Sequence, residues 1–368
     1  MNNIKVVHVG EYVQGGVATY IKYLLSSEER IQNGNLNLDE YLILSKSKSY
    51  HDWPIAKDKI FYYDYKRKLN YIGKTIKRIR QLIKNIEPDI VYCHSTWAGV
   101  FVRIPLLFCR RRYYVIYNAH GWSFCREDSR VKKYLYAIIE KVLSWKTDII
   151  INVSKNEYQN AIAYGISKGK MCVLYSGVKN KMINCYSNNV FDNNQLNVLF
   201  VGRFDKPKGI DILLPIFRKV NRTDLHLYIA GGSVLDDCNL NKEYGSDNIT
   251  FLGWIDHDIV GKYYSACDVV IMPSRWEAFG LVAIEAMSYG KPVIVSNRGA
   301  LPELVEEGKT GFIFDLNDEN SLESVLNNLD KNQLFIMGRE AEKVFEKQFT
   351  LNKMIDGTHQ IFKRLCKK

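Results

Sequence analysis

Short apolar runs alternate with helical patterns along the whole chain. The runs are IKVVHVG, EYLILS, KIFYYD, DIVYCHS, YYVIYNAH, DIIINVS and CVLYSGV in the first half, and NVLFVGR, LHLYIAGG, ITFLGW, DVVIMPS, PVIVSN and GFIFD in the second. They are rich in Val, Ile and Tyr, and polar or helical stretches separate them. This alternation predicts α/β domains in which helices cover both faces of a parallel sheet.

The strand pattern restarts after a polar, Asn-rich stretch, which predicts a linker near residues 180–195. With 368 residues, the chain is long enough for two domains of ordinary size. We therefore expect two doubly wound, Rossmann-like domains, residues 1–182 and residues 183–368. Ligands of such sheets bind at the carboxyl ends of the strands, so motifs at strand ends are the functional candidates.

Composition excludes several classes of protein. Hydrophobic residues make up 46% and charged residues 25%, which is typical of a globular protein. The longest apolar stretches are broken by charge within about a dozen positions, so no membrane span is expected. The N-terminus shows no signal region, and the eight cysteines contain no C-x-x-C pair. We expect a cytoplasmic protein with reduced thiols.

The net charge of +11 is unevenly distributed. Residues 1–184 hold 30 Lys and Arg against 15 Asp and Glu, whereas residues 185–368 hold 21 against 25. A basic half suggests an anionic partner, either a lipid surface or a nucleic acid. A well-hydrated surface without a partner would give the same balance.

Residues 66–86, KRKLNYIGKTIKRIRQLIKNI, predict an amphipathic helix. Its apolar positions are spaced by threes and fours, and its cations lie elsewhere around the helix. The stripe formed by these apolar positions can pack on the sheet while the cations face water. Alternatively, the cations of this helix, with those of residues 110–112, can dock on anionic lipid. Both interpretations can hold at once.

The loop after the first strand of the second half is a candidate diphosphate site. It runs from Gly202 to Gly209 and carries Arg203 and Lys208 before a glycine that opens a helix. A guanidinium can bind phosphate oxygens through two hydrogen bonds, and an ammonium adds a point charge. Basic loop residues are also often only solvated, so this motif is weak when taken alone.

Two carboxylates stand out at residues 273–287, where a buried strand leads into an almost wholly apolar helix. Glu277 precedes the helix, and Glu285 lies inside it among apolar neighbours. A carboxylate in such surroundings needs a partner, because burying an unpaired charge is costly. A ribose diol would suit Glu285, and the amides of residues 279–281 would favour a diphosphate. A core arginine or backbone donors could also satisfy Glu285.

At these motifs the sequence resembles the retaining glycosyltransferases of family 4, which have the two-domain GT-B fold. The resemblance rests on E-A-F-G-L-V-A-I-E at residues 277–285, G-R-x5-G at residues 202–209 and G-G-V at residues 15–17. It covers nearly the whole chain, with all three motifs in the expected order and spacing. It implies two Rossmann-like domains with an interdomain cleft, and a last helix that can pack back on the N-terminal domain.

The resemblance also implies roles for individual residues. Arg203 and Lys208 would bind the donor diphosphate, Glu285 would bind the ribose, and Glu277 would contact hydroxyls of the donor sugar. The remaining donor contacts would come from the amides of Phe279, Gly280 and Leu281, and from those of Gly15 and Gly16 on the opposite wall.

In the N-terminal half, Gly15 and Gly16 precede a helical pattern and would let a ligand approach the backbone closely. An ordinary strand-to-helix turn would use the same residues. The sequence contains no G-x-G-x-x-G, which weighs against a dinucleotide dehydrogenase. His120 follows a strand run, and the resemblance favours a contact with a sugar hydroxyl, although a structural cap is the ordinary role there. His94 is a weaker candidate of the same kind.

We expect no cofactor and no catalytic metal. Asp256-His257-Asp258 has the form of an Asp-x-Asp metal site, but it precedes a helical pattern, and helix N-capping explains it adequately. Arg203 and Lys208 would then neutralise the leaving diphosphate.

The resulting expectation is a retaining glycosyltransferase of bacterial surface-polysaccharide assembly. Ribose and diphosphate contacts are common to UDP, GDP and ADP, and among these we expect a UDP-linked donor. The acceptor would be a glycan or lipid-linked glycan, with the enzyme peripheral on an anionic membrane. Two alternatives remain: a nucleotide-sugar epimerase of the same architecture, and a basic nucleic-acid-binding protein. The acidic second half and the E-x7-E motif weigh against nucleic acid as a partner.

Overall fold

The computed structural model describes residues 3–26, 36–66, 68–180, 190–232 and 243–367. The chain divides into two compact units, Met1–Ser176 with Leu351–Lys368, and Gly177–Thr350. The domain boundary expected at residues 182 and 183 lies outside the described residues, as does much of the expected linker.

The first unit contains a seven-stranded sheet in the order β3-β2-β1-β4-β5-β6-β7, and all of its neighbouring strands are parallel. Each strand coincides with one of the apolar runs of the first half, because Val, Ile and Tyr favour a pleated, buried backbone. The strands are β1 (Ile4–Gly10), β2 (Leu38–Ser45), β3 (Ile60–Tyr63), β4 (Ile90–His94), β5 (Tyr114–Asn118), β6 (Ile149–Asn152) and β7 (Met171–Val173).

Helices cover both faces of this sheet. They are α1 (Gly16–Leu25), α2 (Leu69–Ile86), α3 (Thr96–Leu106), α4 (Arg130–Ser144), α5 (Lys155–Ala163) and the C-terminal helix (Leu351–Cys366). One core cluster joins the sheet to α2, α3 and α4. A second cluster joins the other face to α1 and the C-terminal helix, whose buried residues include Met354, Ile355 and Phe362. The C-terminal helix therefore belongs to the first unit.

The second unit contains a six-stranded parallel sheet in the order β10-β9-β8-β11-β12-β13. Its strands are β8 (Leu196–Val201), β9 (Leu225–Ala230), β10 (Ile249–Gly253), β11 (Val269–Met272), β12 (Val293–Ser296) and β13 (Gly311–Phe314). Its helices are α6 (Ile210–Lys219), α7 (His257–Ala266), α8 (Leu281–Ser288), α9 (Glu319–Asn327) and α10 (Lys331–Gln348). Short 3₁₀ helices in the chain are Lys57–Lys59, Ser123–Cys125, Lys168–Lys170, Lys206–Lys208 and Leu301–Glu303.

Each sheet has one point at which the strand order reverses. In the first unit it lies between β1 and β4, and in the second unit between β8 and β11. Loops on either side of such a point leave in opposite directions, which opens a crevice at the carboxyl ends of the strands. The motifs at residues 15–17, 202–209 and 277–285 follow β1, β8 and β11 respectively. All three therefore begin beside a reversal point.

The amphipathic helix predicted within residues 66–86 is α2. Its apolar side chains pack into the first core cluster, with Ile79, Leu82, Ile83 and Ile86 buried. The cations between them are exposed. The apolar stripe is therefore used for packing on the sheet.

Candidate active site

In the second unit, the loop after β8 is held against the end of β11. Gly209 has φ 72°, and a Cβ atom on it would lie 2.0 Å from the carbonyl oxygen of Pro273. Only glycine tolerates both this backbone conformation and this close approach. The amide of Arg275 donates to the carbonyl of Pro207 at 2.8 Å, and its guanidinium donates to both carboxylate oxygens of Asp211. These contacts join the two loops that carry the second unit's motifs.

Lys208 and Glu277, which are 69 positions apart in sequence, form an ion pair across these loops. Their side chains are 24% and 12% exposed, so the pair is accessible but largely shielded from water. The hydroxyl of Ser274 also donates to Oε1 of Glu277, at 3.3 Å. The backbone of Glu277 is fixed as well, because its carbonyl accepts from the amide of Ala300 at 3.1 Å. The residue expected to bind the diphosphate, Lys208, and the residue expected to bind the sugar, Glu277, are thus in direct contact.

Arg203 has a different environment. Its side chain is 45% exposed, and its guanidinium pairs with the carboxylate of Asp205 at 2.7 Å. An exposed ion pair of this kind contributes little to stability, so rearranging it toward an anionic ligand would cost little free energy. The guanidinium is therefore available to an oligoanion that approaches this loop.

Glu285 is the fifth residue of α8 and therefore lies just beyond the first turn of the helix. Its Oε2 accepts a hydrogen bond from the hydroxyl of Tyr264 at 2.8 Å. Burial raises the pKa of Tyr264 well above its usual value, and the carboxylate of Glu285 raises it further. Tyr264 therefore remains a donor at neutral pH and supplies the partner that the sequence required for Glu285.

The start of α8 has the form expected of a ligand-binding helix terminus. Gly280 is the N-cap residue with φ 110°, and it is followed by Leu281, the first residue of the helix. Phe279 is buried, which anchors the loop in front of the helix. The amides at this end and the helix dipole would favour an anion.

In the first unit, Gly15 lies directly before α1 and Gly16 is the first residue of that helix, and both are exposed. Gly15 is the N-cap residue of α1 with φ 54°, a conformation that favours glycine. A Cβ atom on Gly15 would have no protein atom within 4 Å. The space beside this glycine is open enough for a ligand to approach the backbone.

His120 lies two residues beyond the end of β5 and is partly buried. It has φ 50°, which is unusual for a residue with a side chain, and its amide donates to Oδ1 of Asn118 at 2.9 Å. This contact and the ring of Tyr20, whose centroid is 4.7 Å from that of His120, hold the imidazole in place. The strained position is consistent with a functional residue at the strand end.

His94 is buried and contacts His120, with Nδ1 of His94 and Nε2 of His120 separated by 2.9 Å. Behind it, Nε2 of His94 lies 3.0 Å from Nδ1 of His8, and Nε2 of His8 lies 3.2 Å from Oε1 of Glu40. Sequence reasoning did not find His8 or Glu40. The signal that could have found them is a polar residue among apolar residues on one face of a strand, because His8 alternates with Ile4 and Val6, and Glu40 alternates with Leu38, Leu42 and Leu44.

The Asp256-His257-Asp258 segment stands at the start of α7, with Asp256 as the N-cap residue, although its side chain makes no capping hydrogen bond. Within the described residues, no group of three or more His, Cys, Asp and Glu side chains could hold a metal ion. That the protein uses no catalytic metal remains a prediction. No helix in the described part of the chain is long and apolar enough to cross a membrane.

Comparison with known proteins gives the family. The model for Glycosyltransferase Family 4 matches residues 43–180, and the model for Glycosyl transferases group 1 matches residues 187–348. An uncharacterized 41.2 kDa protein in the cps region of Klebsiella pneumoniae is 32% identical over 98% of this chain and 99% of its own length. The chain belongs to glycosyltransferase family 4. The enzyme class expected from the sequence is thereby confirmed.

A second relative of this glycosyltransferase is the O-antigen biosynthesis glycosyltransferase WbnH of Escherichia coli. It is 30% identical over 63% of this chain and 65% of its own length.

Solved structures confirm the GT-B fold. Sucrose-phosphate synthase from Thermosynechococcus elongatus superposes with a TM-score of 0.81, at 21% identity over 99% of both chains. The Anabaena protein Alr3699/HepE, solved in complex with UDP, superposes with a TM-score of 0.75, at 18% identity over 98% of this chain and 100% of its own.

Proposed function

We propose that this glycosyltransferase moves a sugar from a nucleotide-diphosphate sugar to a hydroxyl of a lipid-linked glycan, with retention of anomeric configuration. The observation that carries the proposal is the Lys208–Glu277 ion pair at the reversal point of the second sheet. It couples a cation suited to phosphate with a carboxylate suited to sugar hydroxyls, at the edge where such folds bind ligands.

The other side chains of the second unit complete a donor site. Arg203 would bind the diphosphate with Lys208, and the amides of Gly280 and Leu281 would bind it from the helix terminus. Glu285, fixed by Tyr264, would accept from the ribose hydroxyls. The complex of HepE with UDP supports a UDP-linked donor.

In the proposed reaction, the bond between the anomeric carbon and the diphosphate oxygen breaks as the acceptor oxygen bonds to the same face of that carbon. The acceptor proton passes to an oxygen of the departing diphosphate, so no side chain is needed as the base. Arg203 and Lys208 stabilise the negative charge that develops on the leaving group, and Glu277 and His120 hold the sugar.

The proposed acceptor follows from the relatives and from the surface of the first unit. The relatives are named for a cps region and for O-antigen biosynthesis, which supports a role in bacterial surface-polysaccharide assembly. Because the proposed acceptor is a lipid-linked glycan, the proposal requires that the enzyme reach a membrane surface.

Helix α4 presents an apolar face to solvent that would serve this purpose. Its buried face carries Ala137, Glu140, Leu143 and Ser144, and the carboxylate of Glu140 is paired with Arg103 at 2.8 Å. The opposite face, extended by the residue after the helix, exposes an apolar stripe: Val131 (79%), Tyr134 (63%), Leu135 (55%), Ile138 (59%) and, two turns farther on, Trp145 (69%). A helix that turns its apolar stripe to water is typical of a membrane-surface helix.

The charges around this stripe favour anionic lipid over a second copy of the chain. Arg130, Lys132 and Lys141 are exposed, and at 100° per residue they flank the stripe on both sides. Lys132 pairs with Asp128 just before the helix, and Glu140 is buried. Two copies meeting through this face would oppose like charges, whereas lipid phosphates would neutralise them at ~1 kcal/mol per cation.

Replacing one residue of the stripe should weaken membrane binding. Ile138→Ser removes apolar surface from the stripe and should lower partitioning into vesicles containing phosphatidylglycerol about tenfold, measured by co-sedimentation. The matched control is Ile336→Ser, since Ile336 is 63% exposed but lies on α10 of the second unit. Equal partitioning of the two variants would contradict the assignment of the surface. A dimer that dissociates in Ile138→Ser without lipid would show that a second copy covers the stripe.

The test of the proposed function is transfer itself. Purified protein is incubated with UDP-, GDP- and ADP-sugars and with lipid-linked glycan acceptors, and the release of nucleoside diphosphate is measured with and without EDTA. We expect acceptor-dependent release from UDP-sugars that EDTA does not abolish. Conversion of the donor without any acceptor would instead indicate an epimerase.

A further inference from the structure

Four polar side chains form one hydrogen-bonded row across four neighbouring strands of the first sheet. Glu40 lies on β2, His8 on β1, His94 on β4, and His120 just beyond β5. The contacts run from Glu40 Oε1 to His8 Nε2 at 3.2 Å, from His8 Nδ1 to His94 Nε2 at 3.0 Å, and from His94 Nδ1 to His120 Nε2 at 2.9 Å. The row ends at the carboxyl edge of the sheet.

The strand register explains how this row forms. Glu40 is paired with Val6, two residues before His8, and Gly10, two residues after His8, is paired with His94. His94 is in turn paired with Asn118, two residues before His120. Each step to the next strand therefore moves two residues toward the carboxyl edge, which keeps all four side chains on the same face.

That face is the one covered by α1 and the C-terminal helix, and it excludes water from the row. His8 and His94 have no exposed surface, and Glu40 is 5% exposed. Burial lowers the pKa of His94 well below its usual value, and it lowers the pKa of His120 to about 3. These two imidazoles are therefore neutral at physiological pH.

Each neutral imidazole has one donor nitrogen and one acceptor nitrogen. In a row of such rings, all of them therefore donate in the same direction along the row, and only two directions are possible. The direction is set by the end group. Glu40 also lines a pocket of about 220 Å³, and a glutamate carboxyl is ordinarily ionised at neutral pH. An ionised carboxylate only accepts, so Nε2 of His8 must donate to it, and each following ring must donate through its own Nε2.

We propose that Glu40, His8 and His94 are positioning residues that hold His120 as the Nε2–H tautomer, so that its Nδ1 accepts a hydrogen bond from a ligand hydroxyl. An unprotonated Nδ1 repels an anionic phosphate oxygen, because both atoms carry a lone pair. It can instead accept a hydrogen bond from a hydroxyl. The assignment of that hydroxyl to a sugar rests on the proposed function, whereas the tautomer itself does not.

The tautomer can be measured directly by long-range ¹⁵N–¹H NMR of the full chain labelled at histidine, with signals assigned by single His→Gln variants. At pH 7, His8, His94 and His120 should each show a protonated Nε2 and an unprotonated Nδ1. A protonated Nδ1 on His120, or a doubly protonated His8, would overturn the proposal because either reverses the row.

A pair of variants tests whether Glu40 sets the direction. Glu40→Leu removes the only acceptor offered to His8 Nε2 within the row, so His120 should shift to the Nδ1–H form and kcat/KM should fall about tenfold. Asp39→Leu is the matched control, since Asp39 is the preceding residue of β2 and pairs with Lys59. Unchanged tautomers in Glu40→Leu would overturn the proposal. Absence of sugar transfer in the wild type would contradict the proposed function only. The tautomer of His120 would still be tested by the NMR measurement.

Discussion

Replacing Arg203 and Lys208 together by alanine should lower kcat on the order of 10³-fold, while the protein stays folded. Removing one preorganised charge or donor at a developing anion costs roughly 10² to 10³ in rate. Lys208 is the more costly loss, because it also leaves the shielded carboxylate of Glu277 without its cation. The measurement is the rate of nucleoside diphosphate release at saturating donor, with circular dichroism as the check on folding.

The control for this variant removes two positive charges elsewhere in the second unit. Lys219→Ala with Lys343→Ala has the same net charge, and both lysines lie outside the loop, at the end of α6 and in α10, with side chains 56% and 66% exposed. We expect kcat within a factor of about two of wild type for this control, since exposed cations far from the leaving group act only through a screened field. Equal losses in the two double variants would show that only total charge matters, which would contradict the assignment.

Glu285→Ala should raise the dissociation constant for UDP by roughly 10- to 100-fold, because two hydrogen bonds to a charged acceptor are lost. The structure supports this role, since Tyr264 fixes one oxygen of the carboxylate. Isothermal titration with UDP, GDP and ADP measures the effect. Glu319→Ala is the control, because Glu319 is 70% exposed and forms only a surface ion pair with Lys219.

Tyr264→Phe tests the positioning of the Glu285 carboxylate separately from its charge. It keeps the carboxylate of Glu285 but removes the hydroxyl that orients it, so a smaller loss of UDP affinity is expected than in Glu285→Ala. If Glu285→Ala bound UDP as tightly as wild type, the ribose role of Glu285 would be wrong.

The sequence was sufficient to predict the strands and the fold. Each of the thirteen apolar runs overlaps a strand, because a buried strand of a parallel sheet gives a local, continuous apolar signal. The motifs after β1, β8 and β11 were also found locally, through their glycines and charges. What the sequence could not supply was the contact between Lys208 and Glu277, which depends on the close approach of Gly209 to Pro273.

Two features could not be predicted from the sequence, and each has a physical reason. The row from Glu40 to His120 depends on the pairing of β2, β1, β4 and β5, and no local pattern fixes the register between strands that distant in sequence. The stripe of α4 has the spacing of an ordinary core-packing face. The structure shows the opposite orientation, with Ala137 and Leu143 buried beside Glu140, which pairs with the buried guanidinium of Arg103 at 2.8 Å.

The central claim is sugar transfer from a nucleotide-sugar with retention, and the anomeric configuration of the product tests it most directly. The wild-type enzyme is supplied with a UDP-sugar of known configuration and a lipid-linked glycan acceptor, and the new linkage is assigned by NMR from the coupling at the anomeric carbon. We predict one new glycosidic bond with the donor's own configuration, formed with release of one UDP. An inverted linkage would contradict the proposed mechanism, and a donor left unconsumed with every acceptor and nucleotide would contradict the proposed function.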